Sequence, residues 1–411
     1  MSVDFSELAD QVAHRVSGID RLGVMVSGGS DSLALLHLLH DGAKRLGKPM
    51  LFAVTVDHGL REDAARECRK VMTMAASMGL AAEVLNVEPA SLGGNLMAAA
   101  RDARYQAVAR WARTNNLDAV AVGHTRTDRA ETFLMRLARG SGVDGLAGMS
   151  AEWKAEGMTW MRPLLDLSRE TLRSYLRARD VQWIDDPTND DDRFLRVQVR
   201  KISPVLSEIG LTENRLSEAA GHLARARNAL DRVAMELAQR AAHATWLGTI
   251  TIAHEEFFQA HEEFQLRLLA KSLQWVTGDR YRPRFSALTA ALSDLKNGAS
   301  VTLHGTLCVV RKTEIHVLRE PNAVNAQNDD GIWDGRWLVD PGECYDSVGD
   351  QVSEFEPNWR SFGLPKEAWM SLPNVFQRGH LRSDGDHVTN YSQAYRLVRT
   401  PEDFGAVETP H

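Results

Sequence analysis

Leu22-Gly23-Val24-Met25-Val26-Ser27-Gly28-Gly29-Ser30-Asp31-Ser32-Leu33-Ala34-Leu35-Leu36-His37-Leu38-Leu39 is the stretch on which the reading of this chain turns. Residues 22–26 are a short apolar run with strand character, and residues 33–39 have the apolar density of a helix. Between them lies the turn Ser27-Gly28-Gly29-Ser30-Asp31-Ser32. A strand, a tight turn and a helix start gather several backbone N–H groups around one point. Glycine lets that backbone approach an anion closely, and the helix N-terminus adds partial positive charge. The ligand suited to such a turn is a phosphate chain. The same six residues also fit a plain strand-to-helix turn with a serine or aspartate cap.

Two familiar phosphate loops are absent from this stretch. It contains no G-x-x-x-x-G-K-[ST], so no lysine reaches terminal phosphates, and no G-x-G-x-x-G of the dinucleotide kind. A loop carrying Asp31 in place of lysine suits pyrophosphate beside a divalent ion.

Outward from the turn, strand-like and helix-like segments alternate. Leu51 to Val56, Ala81 to Val87 and Leu117 to Val122 read as strands. Arg61 to Met78, Met97 to Thr114 and Asp128 to Arg139 read as helices. Helices of this length between strands imply parallel βαβ units, so the fold class is α/β with a parallel, doubly wound sheet. Ligands bind such sheets beyond the carboxyl ends of the strands. Polar groups stand at three of those ends: the Ser27 turn, Asp57-His58-Gly59 and Gly123-His124. Alone, Asp57-His58 fits an ordinary turn before a helix.

Asp128 and Glu131 are three residues apart, which puts both carboxylates on one helix face. Facing a triphosphate, they call for a divalent cation between, and Mg²⁺ is the economical choice. Helix capping by Asp128, with Glu131 returning to the cap, explains the same spacing. Arg104 is placed to reach a phosphate or to pair at the surface with Asp102 or Glu83. Gly140-Ser141-Gly142, Gly145 and Gly148 predict a loop at the mouth of the site.

Composition bounds the rest. The 411 residues allow two or three domains, and 44% hydrophobic with 25% charged residues is ordinary for a globular protein. Cys68, Cys308 and Cys344 form no paired motif, which suits a reducing compartment. No apolar run approaches the ~18 residues of a membrane span, and no secretory signal opens the chain. The expected location is cytoplasmic. The net charge of −7 argues mildly against a polyanionic partner. Yet residues 162–232 are rich in arginine, including Arg169, Arg173, Arg177, Arg179, Arg193, Arg196 and Arg200. A nucleic-acid surface and a set of solvated helices interrupted by aspartates are both open readings.

Several of these motifs together resemble a known family. Ser27-Gly28-Gly29-Ser30-Asp31-Ser32 looks like the signature of the N-type ATP pyrophosphatase, or PP-loop, superfamily of adenine nucleotide α-hydrolase-like folds. Val56-Asp57-His58-Gly59-Leu60-Arg61, Ala100 to Tyr105, His124 to Thr132, Arg139-Gly140-Ser141-Gly142 and Asp185-Asp186-Pro187-Thr188-Asn189 narrow the likeness to the tRNA(Ile)-lysidine synthetase family. The resemblance covers roughly the first half of the chain.

The resemblance implies an ATP-dependent ligase acting on tRNA(Ile) with a CAU anticodon. ATP adenylates the wobble cytidine at O2 and releases pyrophosphate. Free L-lysine then attacks C2, giving lysidine and AMP. It also implies that Ser27, Gly28, Gly29, Ser30, Asp31 and Ser32, with Val56, His58 and His124, hold the nucleotide. Asp31, Asp128 and Glu131 would organise Mg²⁺ or the lysine amine, and Arg104 and Arg200 would act on the phosphate or RNA side. The chain departs from the family pattern at Met97, Thr127, Arg129 and Val197, where glutamate, an acidic residue, glutamine and asparagine are usual.

The expected organisation is a catalytic PP-loop domain over 1–205, a helical linker with a small α+β tRNA-contacting domain over 206–320, and a C-terminal region over 321–411 that serves as a divergent or shortened tRNA-binding domain. Thr212 to about Ala244 and Phe257 to Val276 read as helices, and Ser300 to Leu318 contains strands. Trp333, Trp337, Trp359 and Trp369 serve either a core or base stacking. A homodimer is left open. Two other functions compete: a related tRNA thiolase or amidotransferase-type synthetase, against which the lone Cys68 counts, and a tRNA-binding protein without catalysis.

Overall fold

Helix α1 (Phe5–His14) leads into β1 (Arg21–Met25), the apolar run of the opening stretch, and α2 (Ser30–Leu46) starts inside the serine–glycine turn. The computed structural model describes residues 4–57, 64–87, 96–185, 195–245, 247–279, 281–325, 328–329, 332–338, 347, 359–372 and 396–397. The chain divides into two compact units, Met1–Arg227 and Asn228–Thr409. Among the described residues no helix is long and apolar enough to cross a membrane.

In the first unit, β2 (Met50–Asp57), α3 (Ala64–Ser77), β3 (Ala81–Asn86), α4 (Leu96–Thr114), β4 (Ala119–Ala121) and α5 (Arg126–Leu137) continue the alternation. Then come a short α6 (Val143–Leu146), β5 (Glu152–Ala155), β6 (Met158–Met161), α7 (Arg169–Arg177), α8 (Leu195–Glu208) and α9 (Glu213–Ala241), whose residues from 228 onward belong to the second unit. The sheet order is β3-β2-β1-β4-β6-β5. All pairings are parallel except β5 with β6. Strand order therefore reverses between β1 and β4, the place where open α/β sheets leave a crevice for ligands.

Both faces of the sheet are covered, which is why its strands are short continuous apolar runs. On one face Leu22 and Val24 pack with Leu35, Leu36, Leu38 and Leu39 of α2 and with Leu172 and Leu176 of α7. Each such fully buried leucine contributes about 1.5–3 kcal/mol. On the other face Val54, Val120 and Val122 pack with Val108 and Trp111 of α4 and with Trp153 and Trp160.

Three local expectations need correction. The β5–β6 hairpin is a pair of strands that the alternation did not reveal, because each has only four residues around the tight Glu156-Gly157 turn. The Gly145 region is no open loop: α6 forms there, Ala147 is fully buried, and Arg136 Nη1 donates to the Gly145 carbonyl at 2.6 Å. The helix expected over 257–276 is two helices, α10 (His254–Gln259) and α11 (Glu262–Thr277). Ala260 is extended, and the His261 side chain accepts from Glu263 N, so a new helix start interrupts the apolar pattern.

In the second unit, β7 (Ala242–Ala244), read from sequence as the helix end, and β8 (Ile250–Ala253) precede α10. After α11 come α12 (Phe285–Lys296), β9 (Val301–Leu303), β10 (Thr306–Val310) and β11 (Glu314–Arg319). These strands form an antiparallel sheet in the order β7-β8-β11-β10-β9, with Leu266, Leu269 and Leu273 of α11 in its core. A small four-stranded sheet follows: β12 (Asn328–Asp329), β13 (Ile332–Trp333), β14 (Trp337–Leu338) and β15 (Arg396–Leu397), with α13 (Lys366–Met370) nearby in sequence. Trp333, Trp337 and Trp369 are buried with Leu247, Val309 and Leu318. Of the two readings, core packing is the one observed for these three tryptophans, and the Trp359 side chain lies outside the described residues.

Candidate active site

The turn after β1 and the Gly123-His124 segment after β4 open into one cavity of about 760 Å³. Ser27, Gly29, Ser30, Asp31 and Ser32 line one wall. The turn is held from within: Ser27 N donates to Ser32 Oγ at 3.1 Å, and Ser32 Oγ donates to the Gly29 carbonyl at 3.0 Å. Gly28 has φ +83°, and a Cβ there would meet Ile184 Cδ1 at 2.8 Å, so glycine is required twice over. Gly29 is the N-cap of α2 and offers no side-chain cap. The first amides of α2 therefore have no side-chain acceptor, as an anion site needs.

Gly123 makes the second close approach. A Cβ there would lie 3.0 Å from both Ser32 N and Ser32 Cα, so the β4 end packs directly on the start of α2. His124 and Asp128 line the cavity beside it. In α5, Thr125 is the N-cap and Asp128 completes a capping box. Asp128 Oδ2 accepts from Thr125 N at 2.9 Å and Thr125 Oγ1 at 2.8 Å. The capping alternative thus holds for Asp128 with Thr125, while Glu131 has no part in it. Asp128 still has Oδ1 turned to another partner.

That partner is Arg169, at the first position of α7. Its Nε donates to Asp31 Oδ2 at 2.9 Å, Nη2 to Asp128 Oδ1 at 3.1 Å and Nη1 to Glu131 Oε1 at 3.5 Å. Glu131, only 3% exposed, also accepts from Arg200 Nε at 2.6 Å and pairs with Arg196 Nε at 3.2 Å. Spacing paired Asp128 with Glu131, and the family resemblance added Asp31, but neither found Arg169 as their common partner. Charge balance was the available signal, because buried carboxylates that converge need cations.

The electrostatics follow from this pairing. Burial raises the Asp31 carboxyl above its ordinary range, and Arg169 only partly counters it. Burial pushes Asp128 the same way, but Arg169 and the Thr125 hydrogen bonds outweigh it, and the carboxyl is held below its ordinary value. Arg169 itself stays charged: burial opposes the charge, and Asp31, Asp128 and Glu131 more than offset it.

Arg104 lines the cavity from α4, and among the described residues its buried Nε has no hydrogen-bond partner. The surface pairing with Glu83 is not formed, since Glu83 accepts from Trp111 Nε1 at 2.9 Å. A buried donor left without a partner is costly. Arg200 also lines the cavity. Val56 lies in β2 against the Trp111 cluster and does not line it, and His58 lies outside the described residues.

Most of the arginine-rich segment is committed inside the first unit. Arg173 pairs with Asp185, Arg177 with Glu170, and Arg179 with Asp41. Arg193 lies outside the described residues. Among the described residues no group of three or more His, Cys, Asp or Glu side chains is set to hold a metal ion, because Arg169 already spans the carboxylates.

Residues 2–206 match a family model described as a PP-loop domain. Over 368 residues, 88% of this chain and 87% of the relative, the sequence is 39% identical to the tRNA(Ile)-lysidine synthase of Ruegeria pomeroyi. The chain belongs to the tRNA(Ile)-lysidine synthase family. It is also 34% identical to the tRNA(Ile)-lysidine synthase of Wolbachia pipientis wMel, across 77% of this chain and 76% of that one. A third member, from a Wolbachia of Brugia malayi, is 29% identical across 90% of both.

Two departures from the family pattern have local explanations in the structure. Thr127 Oγ1 donates to Glu213 Oε2 at 2.9 Å and accepts from Arg169 N at 3.2 Å. Arg129 pairs with Asp166 at 3.6 Å. Val197 is buried at the cavity edge, and nothing further in the structure explains it. The Met97 side chain lies outside the described residues.

Proposed function

We propose that the chain joins lysine to C2 of the wobble cytidine of tRNA(Ile) with a CAU anticodon, using ATP and passing through a cytidine adenylated at O2. The products are lysidine, AMP and pyrophosphate. One observation carries the site assignment: Gly29 and Ser30, at the uncapped start of α2, and Arg104 of α4 line the same cavity at the β1–β4 reversal.

In this reading the turn amides and the start of α2 receive the β- and γ-phosphates and stabilise the leaving pyrophosphate as charge develops on it. Ser30 and Ser27 supply hydroxyl donors. Arg104, which lines the cavity, donates to a phosphate or to the cytidine, a charged hydrogen bond worth about 1.5–3 kcal/mol. Arg200 holds Glu131 in place and closes the wall nearest α8.

Asp31, Asp128 and Glu131 offer only oxygen donors, and Mg²⁺ would take Asp31 and Asp128 in place of Arg169, which spans them here. That chemistry fits Mg²⁺, which needs one or two carboxylates beside substrate phosphates rather than a protein cage. When bound, Mg²⁺ would neutralise phosphate charge. Asp31 and Asp128 would hold it, and Glu131, buried under Arg169, Arg196 and Arg200, would set the positions of those guanidinium groups. Residues 206–320 and 321–411 would contribute contacts to tRNA.

Purified chain, ATP, Mg²⁺, labelled lysine and tRNA(Ile) with a CAU anticodon test the proposal. Labelled lysine should enter the tRNA with release of one AMP and one pyrophosphate, and chelation of Mg²⁺ should stop both. Pyrophosphate release without lysine entering the tRNA would overturn it.

A further inference from the structure

Behind the cavity wall lies a buried arrangement that the proposed reaction leaves unused. Arg162, 5% exposed, follows β6 and donates from Nε to His124 Nδ1 at 3.1 Å. Its guanidinium carbon lies 3.6 Å above the Trp153 ring, and Nη1 donates to the Ser150 carbonyl. Trp153 is stacked on Trp160 with 5.8 Å between ring centroids, and Tyr105 meets Trp160 edge-on at 4.7 Å. Arg162 is thereby held in place on several sides.

A guanidinium has only donors, so the nitrogen it meets must present a lone pair. His124 Nδ1 is therefore unprotonated, and the proton of the neutral ring sits on Nε2. We propose that Arg162 is a positioning residue that fixes this tautomer, so that His124 serves as a neutral Nε2–H donor to an oxygen of the bound nucleotide or cytidine. This rests on the function proposed above. The role is that of a fixed dipole and not of a proton carrier, because a second proton on Nδ1 would have to displace Arg162.

The surrounding charges agree. Burial first, then Arg162, Arg101 and Arg196, hold the imidazolium form far below its ordinary range, and Asp128 alone pulls the other way. Arg162 is pushed down only to about 10 by burial, so it remains a cation at neutral pH.

The test combines a tautomer readout with isosteric substitutions in the full chain. With ¹⁵N-labelled histidine, the resonance lost in H124N identifies His124. Nδ1 should show an unprotonated shift and Nε2 a protonated one, both unchanged from about pH 5.5 to about pH 8. In R162M the ring should populate both tautomers. Glutamine reproduces a donor at the Nε2 position and asparagine one at Nδ1. H124Q should therefore keep most of kcat/KM for lysidine formation, while H124N and H124A lose about 10–100-fold. A loss confined to ATP affinity without tRNA places the acceptor on ATP, and a loss in the tRNA parameters places it on cytidine.

A protonated Nδ1 in the native chain, or H124N as active as H124Q, would overturn the proposal. The glutamine–asparagine comparison decides the matter even where R162M fails to fold. A chain with the expected tautomer and no lysine ligation would overturn the functional reading while leaving the Arg162–His124 assignment standing.

Discussion

Arg169 Nε meets Asp31 Oδ2 at 2.9 Å, tying the first residue of α7 to the first turn of α2 across 138 positions of sequence. The other two nitrogens of the same guanidinium reach Asp128 and Glu131. One side chain thus holds both walls of the crevice together. Its removal leaves buried carboxylates without their shared cation.

R169M is therefore expected to destabilise the first unit by about 3–5 kcal/mol, the usual cost of orphaning a buried charge. R169K should recover only part of this, since an ammonium cannot fork over three carboxylates. Chemical denaturation at neutral pH measures both, and a loss below about 1 kcal/mol for R169M would contradict the pairing.

Asp31 and Asp128 are expected to respond to pH with opposite signs. Asp128 is held below its ordinary 3.8, so it adds stability above that value and loses it as pH falls through its folded pKa. The destabilisation caused by D128N should therefore grow from about pH 3 to about pH 6. Asp31 is raised by burial, so its ionisation costs stability as pH rises above 3.8. The destabilisation caused by D31N should shrink over the same interval. Parallel trends for the two variants would show that Arg169 does not divide its charge as described.

Alanine at the two crowded glycines tests the nucleotide turn. G28A must carry φ +83° and displace Ile184, and G123A pushes a methyl onto the Ser32 backbone. Left-handed backbone alone costs about 1–2 kcal/mol per residue. Each variant should raise KM for ATP by at least about tenfold, equivalent to roughly 1.4 kcal/mol of binding. Unchanged ATP dependence in a folded G28A would remove the turn from the phosphate site.

Thr127 offers a test of the family departure. T127D restores the usual acidic residue but sets it against Glu213, whose carboxylate Thr127 now serves as donor. The single variant should lose about 1–3 kcal/mol through the unpaired acceptor. Combining it with E213Q should recover most of that, because the amide donates where the carboxylate repelled. Additive losses in the double variant would disprove the coupling.

Strands β1 to β4 and helices α2 to α5 of the first unit were legible because buried parallel strands are short apolar runs bounded by turns. The nucleotide turn was legible because its glycines and serines are contiguous. Glu152 to Met161 was not, since two four-residue strands offer too little alternation to be told from a loop. The break before α11 was hidden because Phe257 and Phe264 pack on the same core from two separate helices. Arg169 was read as one arginine of a basic run because spacing along α7 says nothing of charges on α2 and α5.

Contiguous residues settled the turn, the βαβ alternation and the family motifs, since backbone conformation and periodicity are written in neighbours along the chain. Folding alone settled which arginines are spent on carboxylates and which nitrogen of His124 meets Arg162. Those outcomes depend on burial and on distances between groups far apart in sequence, where desolvation makes each unpaired charge costly and so selects its partner.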